Sequence, residues 1–260
     1  MKRWTVLLLV ALAGCGGDDD APAAKPRAAE TAGRLVCTGS GAPTVVLESG
    51  LGVDPRSTWA GVAPEVAERT KVCLHERPGL GSSPPLDHSR TAASVEQELE
   101  TLLHDRPVVL VGASFGGYVA QLYASRHPDD VKGVVLVDSL HPDLDATFAR
   151  LFGKQAAAAR ARQLADNTEH ITFDDLVASA HEVAAQTEFP AVPLVVLKHG
   201  ISFDPGGEPD PALERAWGRM QKALAARSPQ GTLIVAERSH HRIAEDQPEL
   251  VVRAIERVSG

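Results

Sequence analysis

The sequence predicts an α/β fold, in which a mostly parallel sheet is covered by helices on both faces. Strand-like and helix-like segments alternate from Thr44 onward. The strand-like segments are continuous apolar runs, as expected when both faces of a parallel sheet are buried. Such alternation is typical of linked β-α-β units. We therefore expect one folded domain over residues 35–260.

The elements of this domain follow one another in a regular order. The strand-like runs are TVVLES, KVCLHE, PVVLVGA, GVVLVDS, PLVVLKHG and TLIVAER. Between and after them, apolar residues recur at helical spacing in STWAGVAPEVAER, TAASVEQELETLL, GGYVAQLYASR, PALERAWGRMQKALAAR and QPELVVRAIERV. Residues 140–190 contain no convincing strand and have three helical patterns instead. That stretch is too long for a β-α connection, so it predicts a small helical cap.

The first residues are typical of a bacterial export signal. A basic start precedes an apolar run too short to span a bilayer, which predicts a signal peptide over residues 1–14. The stretch LAGC, residues 12–15, resembles the bacterial lipobox, which implies that Cys15 is lipidated. The stretch ALA, residues 11–13, leaves ordinary secretion as the alternative. Residues 15–34 then predict a disordered tether, and a lipid anchor would hold the domain on a membrane outside the cytoplasm.

Two cysteines remain if Cys15 is lipidated. Cys37 and Cys73 form an even pair, and disulfides persist in oxidising compartments. We expect a disulfide between them, with two buried free thiols as the alternative.

Charge and motif content argue against several kinds of partner. The formal net charge is -8 and no basic stripe is present, which disfavours nucleic acid. The ten histidines include no H-E-x-x-H arrangement, the cysteines have no C-x-x-C spacing, and GLGSS is not a nucleotide-binding P-loop. No metal or cofactor is predicted.

The stretch Gly112-Ala113-Ser114-Phe115-Gly116 fits the pattern G-x-S-x-G. A buried strand precedes it and a helix follows it, so Ser114 falls at a sharp, strained corner. Side chains two residues before and after that corner would collide, and both positions are glycine. Ser114 is therefore a candidate nucleophile beside a helix N-terminus, where developing negative charge is stabilised. A serine helix cap is the alternative.

In this stretch the chain resembles the α/β-hydrolase family. A second resemblance is HERPGLGSS, residues 75–83. The corresponding family motif usually has the pattern D-R-x-G-x-G-x-S, and Glu76 stands where aspartate is usual. The resemblance covers roughly residues 35–258. It implies the α/β-hydrolase fold and a serine nucleophile followed along the chain by an acid and a histidine.

The resemblance places the histidine after the last strand, where His240 and His241 are neighbours. The family usually has an acidic residue and a proline after its histidine, and Asp246 and Pro248 match that spacing from His241. We therefore choose His241 as the general base, with His240 as the alternative.

Two aspartates compete for the role of the acid. Asp138 ends the strand after the nucleophile helix, whereas Asp204 follows the next strand, where the family more often has its acid. The loop from Gly200 to Asp204 is one residue longer than the family's G-x-x-D, and its Gly and Pro content is also that of a turn. Asp138 could equally cap the segment that follows it. We favour Asp138 and keep Asp204 as the alternative acid.

An oxyanion hole needs two backbone N–H donors. Phe115, directly after the nucleophile, is the first candidate. Ser49-Gly50 stands where the family usually has His-Gly, so the resemblance implies that Leu51 supplies the second donor. A flexible turn is the other interpretation of SGLG.

These residues together predict a serine hydrolase that cleaves a small-molecule ester or similar acyl bond through an acyl-enzyme. Dehalogenases and epoxide hydrolases of this fold use aspartate at the elbow, so Ser114 argues against them. Peptidases, carbon–carbon hydrolases and cofactor-free haloperoxidases keep serine and remain alternatives. A non-catalytic binding protein on the same scaffold is the non-enzymatic alternative.

Overall fold

The computed structural model describes residues 33–104, 106–164, 166–202 and 210–260. These residues form a seven-stranded sheet with the order β1-β3-β2-β4-β5-β6-β7. Strand β1 pairs antiparallel with β3, and the other neighbours pair in parallel. The strands are β1 (Arg34–Thr38), β2 (Thr44–Glu48), β3 (Val72–Glu76), β4 (Val108–Ala113), β5 (Val131–Val137), β6 (Leu194–His199) and β7 (Gly231–Ala236). The predicted mostly parallel sheet is confirmed.

The helices connect the strands in the expected places. They are α1 (Pro55–Thr58), α2 (Ala63–Ala67), α3 (Ala92–Leu102), α4 (Gly116–Arg126), α5 (Leu144–Leu164), α6 (Phe173–Ala184), α7 (Pro211–Ala225), α8 (Ile243–Asp246) and α9 (Pro248–Ser259). A 3₁₀ turn at Pro128–Asp130 leads into β5. Among the described residues, no helix is both long enough and apolar enough to cross a bilayer.

The core has two halves, one on each face of the sheet. Successive strand residues point to opposite faces, so Leu110 of β4 packs on one side and Val109 and Val111 on the other. The first face is covered by α3, α4, α6 and α7, and the second by α2, α8 and α9. Because both faces are buried, the strands are apolar throughout, and helices on both sides are confirmed.

The segment predicted as a cap lies between β5 and β6 and contains α5 and α6. The backbone leaves helical geometry at Gly153, where φ is 81°. Glycine tolerates this left-handed angle without a steric penalty, so the long α5 segment bends there. Leu144, Phe148, Leu164 and Leu176 of this segment line a cavity above the sheet.

The edge strand β1 was not predicted from the sequence, and it carries the first disulfide cysteine. Cys37 stands opposite Cys73 in the register of β1 and β3, with their Cα atoms 4.0 Å apart. The two sulfurs are bonded, which confirms the expected pairing.

Candidate active site

The nucleophile candidate lies between a strand and a helix. Strand β4 ends at Ala113, Ser114 follows with φ at 51°, and Phe115 caps α4. A non-glycine residue in this left-handed region is strained. Two hydrogen bonds hold it there: Ser114 N–H donates to the Val137 carbonyl at 3.1 Å, and Leu140 N–H donates to the Ser114 carbonyl at 3.1 Å.

The glycines around the corner leave no room for side chains. A Cβ on Gly112 would lie 2.4 Å from the Gly116 carbonyl oxygen, and a Cβ on Gly116 would lie 2.5 Å from the Glu48 carbonyl oxygen. A Cβ on Gly117 would come within 1.9 Å of Ser139 Oγ. The helix therefore starts against the backbone of β2 and β4, and glycine is the residue that permits this approach.

Asp138 follows directly on β5 and also has a left-handed backbone, with φ at 44°. Its carboxylate is fully buried. His241 Nδ1 donates to Asp138 Oδ2 at 2.7 Å, and Trp217 Nε1 donates to Oδ1 at 2.8 Å. The backbone N–H of His199 donates to Oδ1 at 3.2 Å. Burial alone would raise the pKa of Asp138, but the hydrogen bonds from His199 and His241 hold it well below its usual range.

The ionised Asp138 fixes the tautomer of His241. Because a carboxylate only accepts hydrogen bonds, His241 Nδ1 carries the ring proton. In the neutral ring, Nε2 then carries no proton. The His241 side chain is 30% exposed, and Ser114 lines the same cavity. A histidine that keeps its proton on Nδ1 has Nε2 available as a general base.

A second histidine on the same carboxylate was missed by the sequence analysis. His199 ends β6, donates from Nδ1 to Asp138 Oδ2 at 2.7 Å, and places Nε2 3.1 Å from Glu214 Oε2. Burial alone would lower the pKa of His199, but Asp138 and Glu214 raise it. Both ring nitrogens face carboxylates, which favours the imidazolium form. The sequence does give one signal for His199, because it is a polar residue at the carboxyl end of a buried parallel strand.

The structure describes the alternative base, His240, but not the alternative acid, Asp204. His240 is exposed, and its backbone N–H donates to Asp246 Oδ2 at 3.0 Å. Asp246 therefore stabilises the turn that carries His241. Asp204, the alternative acid, lies outside the described residues, as does Cys15.

The loop after β2 lies directly against the nucleophile candidate. A Cβ on Gly50 would be 3.5 Å from Ser114 Cβ, and Leu51 lines the cavity. Ser49 Oγ donates to the Val53 carbonyl at 2.9 Å and closes the loop. Phe115, the other candidate donor, is fully buried at the start of α4. The loop after β2 and the start of α4 therefore both lie next to Ser114.

One cavity of about 280 Å³ brings Ser114, Asp138 and His241 together. The rest of the cavity lining is mainly apolar. It comprises Leu51, Leu140, Leu144, Phe148, Arg160, Leu164, Leu176, His199, Leu213, Glu214 and Trp217. An apolar pocket with a few convergent polar groups is typical of a small-molecule site. Within the described part of the chain, no group of three or more His, Cys, Asp or Glu could hold a metal ion.

Comparison with known proteins agrees with this fold. A family model for the alpha/beta hydrolase fold matches residues 43–238. The chain is 27% identical over 221 residues to the uncharacterized protein YqjL of Bacillus subtilis, covering 84% of this chain and 83% of that protein. It is 27% identical over 254 residues to a pimeloyl-acyl-carrier-protein methyl ester esterase of Aeromonas hydrophila, covering 84% and 96%.

Solved structures show the same fold. A thermophilic esterase from Thermogutta terrifontis has a TM-score of 0.59 at 20% identity, covering 88% of this chain and 94% of that one. An enol-lactonase from Burkholderia xenovorans has a TM-score of 0.58 at 17% identity, covering 87% and 95%. The family model matches most of the chain, and these matches together identify the chain as an enzyme of the alpha/beta hydrolase family.

Proposed function

We propose that this enzyme is a serine hydrolase that cleaves an ester or related acyl bond, with Ser114 as nucleophile, His241 as base and Asp138 as acid. The observation that carries the proposal is the bond of 2.7 Å between His241 Nδ1 and Asp138 Oδ2, in a cavity that Ser114 also lines. A proton transfer from Ser114 to His241 is part of the proposal.

The proposed chemistry has two halves. In the first, Ser114 Oγ attacks the carbonyl carbon while His241 Nε2 accepts its proton and then donates it to the leaving alcohol. The backbone N–H groups of Leu51 and Phe115 stabilise the oxyanion. In the second, His241 activates a water that attacks the acyl-enzyme and frees Ser114.

The substrate class is a small ester with an apolar acyl or alcohol group. The leucines and Phe148 of the cavity wall support an apolar group, and the cavity of about 280 Å³ supports a small one. The curated relative named a methyl ester esterase supports an ester as the reacting bond.

Labelling with a fluorophosphonate tests the nucleophile, and p-nitrophenyl esters of rising chain length test the reaction. The full chain should take up the label and hydrolyse the shorter esters, and Ser114→Ala should do neither. Ser57→Ala, a change at an exposed serine of α1, serves as the matched control.

The outcomes separate the candidate functions. A wild-type chain with neither label nor turnover would contradict the hydrolase proposal and favour a binding protein. A chain that takes up label without hydrolysing any ester would move the assignment to a peptidase or a carbon–carbon hydrolase.

We also propose that the enzyme works outside the cytoplasm, held by a lipid on Cys15. The Cys37–Cys73 disulfide supports this location, because such bonds persist in oxidising compartments. In a bacterial host the wild-type chain should fractionate with membranes, whereas Cys15→Ser should not. A wild-type chain in the soluble fraction would contradict the anchor.

A further inference from the structure

Arg77 is a fully buried arginine outside the proposed triad, in the turn after β3. Its five N–H groups all donate. Nε and Nη2 bind the two carboxylate oxygens of Glu169 at 2.7 and 3.0 Å, and Nη1 binds Glu48 at 3.1 Å. The remaining donors bind the carbonyl oxygens of Ser49 at 3.0 Å and Gly50 at 2.9 Å. The guanidinium thus holds the loop that carries Leu51.

The bonds to this loop fix both peptide groups that flank Leu51. In a trans peptide the carbonyl and the N–H point in opposite directions. The Gly50 carbonyl accepts from Arg77, so the N–H of Leu51 points away from Arg77. Leu51 also lines the cavity that contains Ser114. On the other side, Gly52 N–H donates to Glu169 Oε2 at 2.7 Å.

Arg77 also contacts the second candidate oxyanion donor. Its guanidinium carbon lies 5.5 Å from the centroid of the Phe115 ring, within cation–π range. Arg77 therefore contacts both the Gly50 carbonyl, next to Leu51, and the ring of Phe115.

Glu169 comes from the connection between α5 and α6, so the pair ties that segment to the loop. Asn167 Oδ1 accepts from the backbone N–H groups of Glu169 and Ile171, at 3.2 and 3.3 Å. A Cβ on Gly52 would lie 3.1 Å from Asn167 Cβ, so the two segments are in close contact.

We propose that the Arg77–Glu169 ion pair is a positioning device that aims the Leu51 N–H at the oxyanion and couples the α5–α6 segment to that donor. The inference rests on the proposed function. Buried ion pairs are weak sources of net stability, whereas a bidentate pair that also binds three backbone groups fixes geometry. Arg77 and Glu169 act through the Leu51 peptide and do not touch the substrate.

The test compares Arg77→Lys and Glu169→Gln with the wild type. Lysine cannot reproduce five donors in a planar fork. Glutamine leaves one Arg77 donor without an acceptor in either orientation of its amide, and in one of them Gly52 N–H as well. Loss of one oxyanion donor lowers kcat by about 10²- to 10³-fold, and we expect a fall of about 100-fold with KM within about twofold. Arg227→Lys is the control, because Arg227 binds Gln121 and Gln186 away from this loop.

A matched thionoester substrate gives a readout that a purely structural role would not change. Sulfur accepts hydrogen bonds more weakly than oxygen, so a working oxyanion hole favours the ester over the thionoester. The ratio of the two kcat/KM values should fall by about tenfold or more in both variants and stay unchanged in Arg227→Lys.

The outcomes distinguish this inference from the function on which it rests. A wild type that hydrolyses no ester overturns the proposed function and this inference with it. An active wild type overturns the inference alone if the folded variants keep both kcat and the ester-to-thionoester ratio. If neither variant folds, by loss of a cooperative melting transition, the pair is a folding requirement and the proposal is wrong.

Discussion

Replacing Asp138 with asparagine tests the acid of the proposed triad most directly. Asparagine has the same shape, but only one of its two terminal atoms accepts hydrogen bonds. Asp138 Oδ2 accepts from the imidazoles of His199 and His241, and Oδ1 accepts from the Trp217 indole and the His199 backbone. One pair of donors therefore loses its acceptor, whichever way the amide is turned.

The size of the effect follows from those contacts. If the amide NH₂ faces His241, the ring proton moves to Nε2, and that nitrogen can no longer accept the Ser114 proton. A triad histidine in the wrong tautomer loses about 10⁴ in kcat, or about 5 kcal/mol of barrier. If the amide oxygen faces the imidazoles instead, two buried donors lose their partners at about 1–3 kcal/mol each. The melting temperature would then fall by about 4–24 °C.

The assay measures kcat, KM and melting temperature for Asp138→Asn with a short p-nitrophenyl ester. Asp130→Asn makes the same chemical change at a surface pair with Arg106 and should leave kcat unchanged. Asp204→Asn tests the alternative acid. The reasoning fails if Asp138→Asn keeps more than a tenth of wild-type kcat, and Asp204 becomes the acid if its variant alone loses about 10³ or more.

Two further predictions concern stability. Burial would lower the pKa of His75, but the carboxylates of Glu48 and Glu98 raise it to about 9. Protonated His75 contributes to the free energy of unfolding fully below about pH 6.5, and this contribution is lost as pH rises through about 9. The free energy of unfolding should therefore fall by about 3 kcal/mol across that range. A His75→Gln variant whose stability falls with pH as steeply as the wild type's would contradict this. The Cys37–Cys73 bond has a sequence separation of 36 and should stabilise the fold by about 4 kcal/mol on the loop-entropy estimate. Reduction, checked by mass, should lower the melting temperature by about 8–16 °C, and an unchanged value would refute the estimate.

Periodicity and turn chemistry predicted the fold well, because the signal of a buried parallel strand is local. All six predicted strands are present, but β1 was missed. That strand is short, lies at the sheet edge and is largely exposed, so the run RLVCT has little apolar pattern. Its place in the sheet comes from pairing with β3, which is information about a distant segment.

The site was predictable only where one motif holds the needed residues. Ser114 and His241 were predicted from residues within seven positions of them in sequence. Arg77 and Glu169 are 92 residues apart, and His199 is 61 residues from Asp138, so their contacts depend on the finished fold. No local pattern distinguishes such a charge from an exposed one.

The proposed nucleophile and acid share a structural origin in the sheet. Ser114 and Asp138 follow adjacent parallel strands, and each has a left-handed backbone that costs about 1–3 kcal/mol. Each is held by the next strand along: Ser114 N–H donates to Val137 of β5, and Asp138 N–H donates to Leu197 of β6 at 2.8 Å. The strain is therefore offset by extension of the sheet's own hydrogen bonding. It follows that the separation of these two side chains is set by strand register, and loop changes above the sheet should alter substrate choice before they alter the triad.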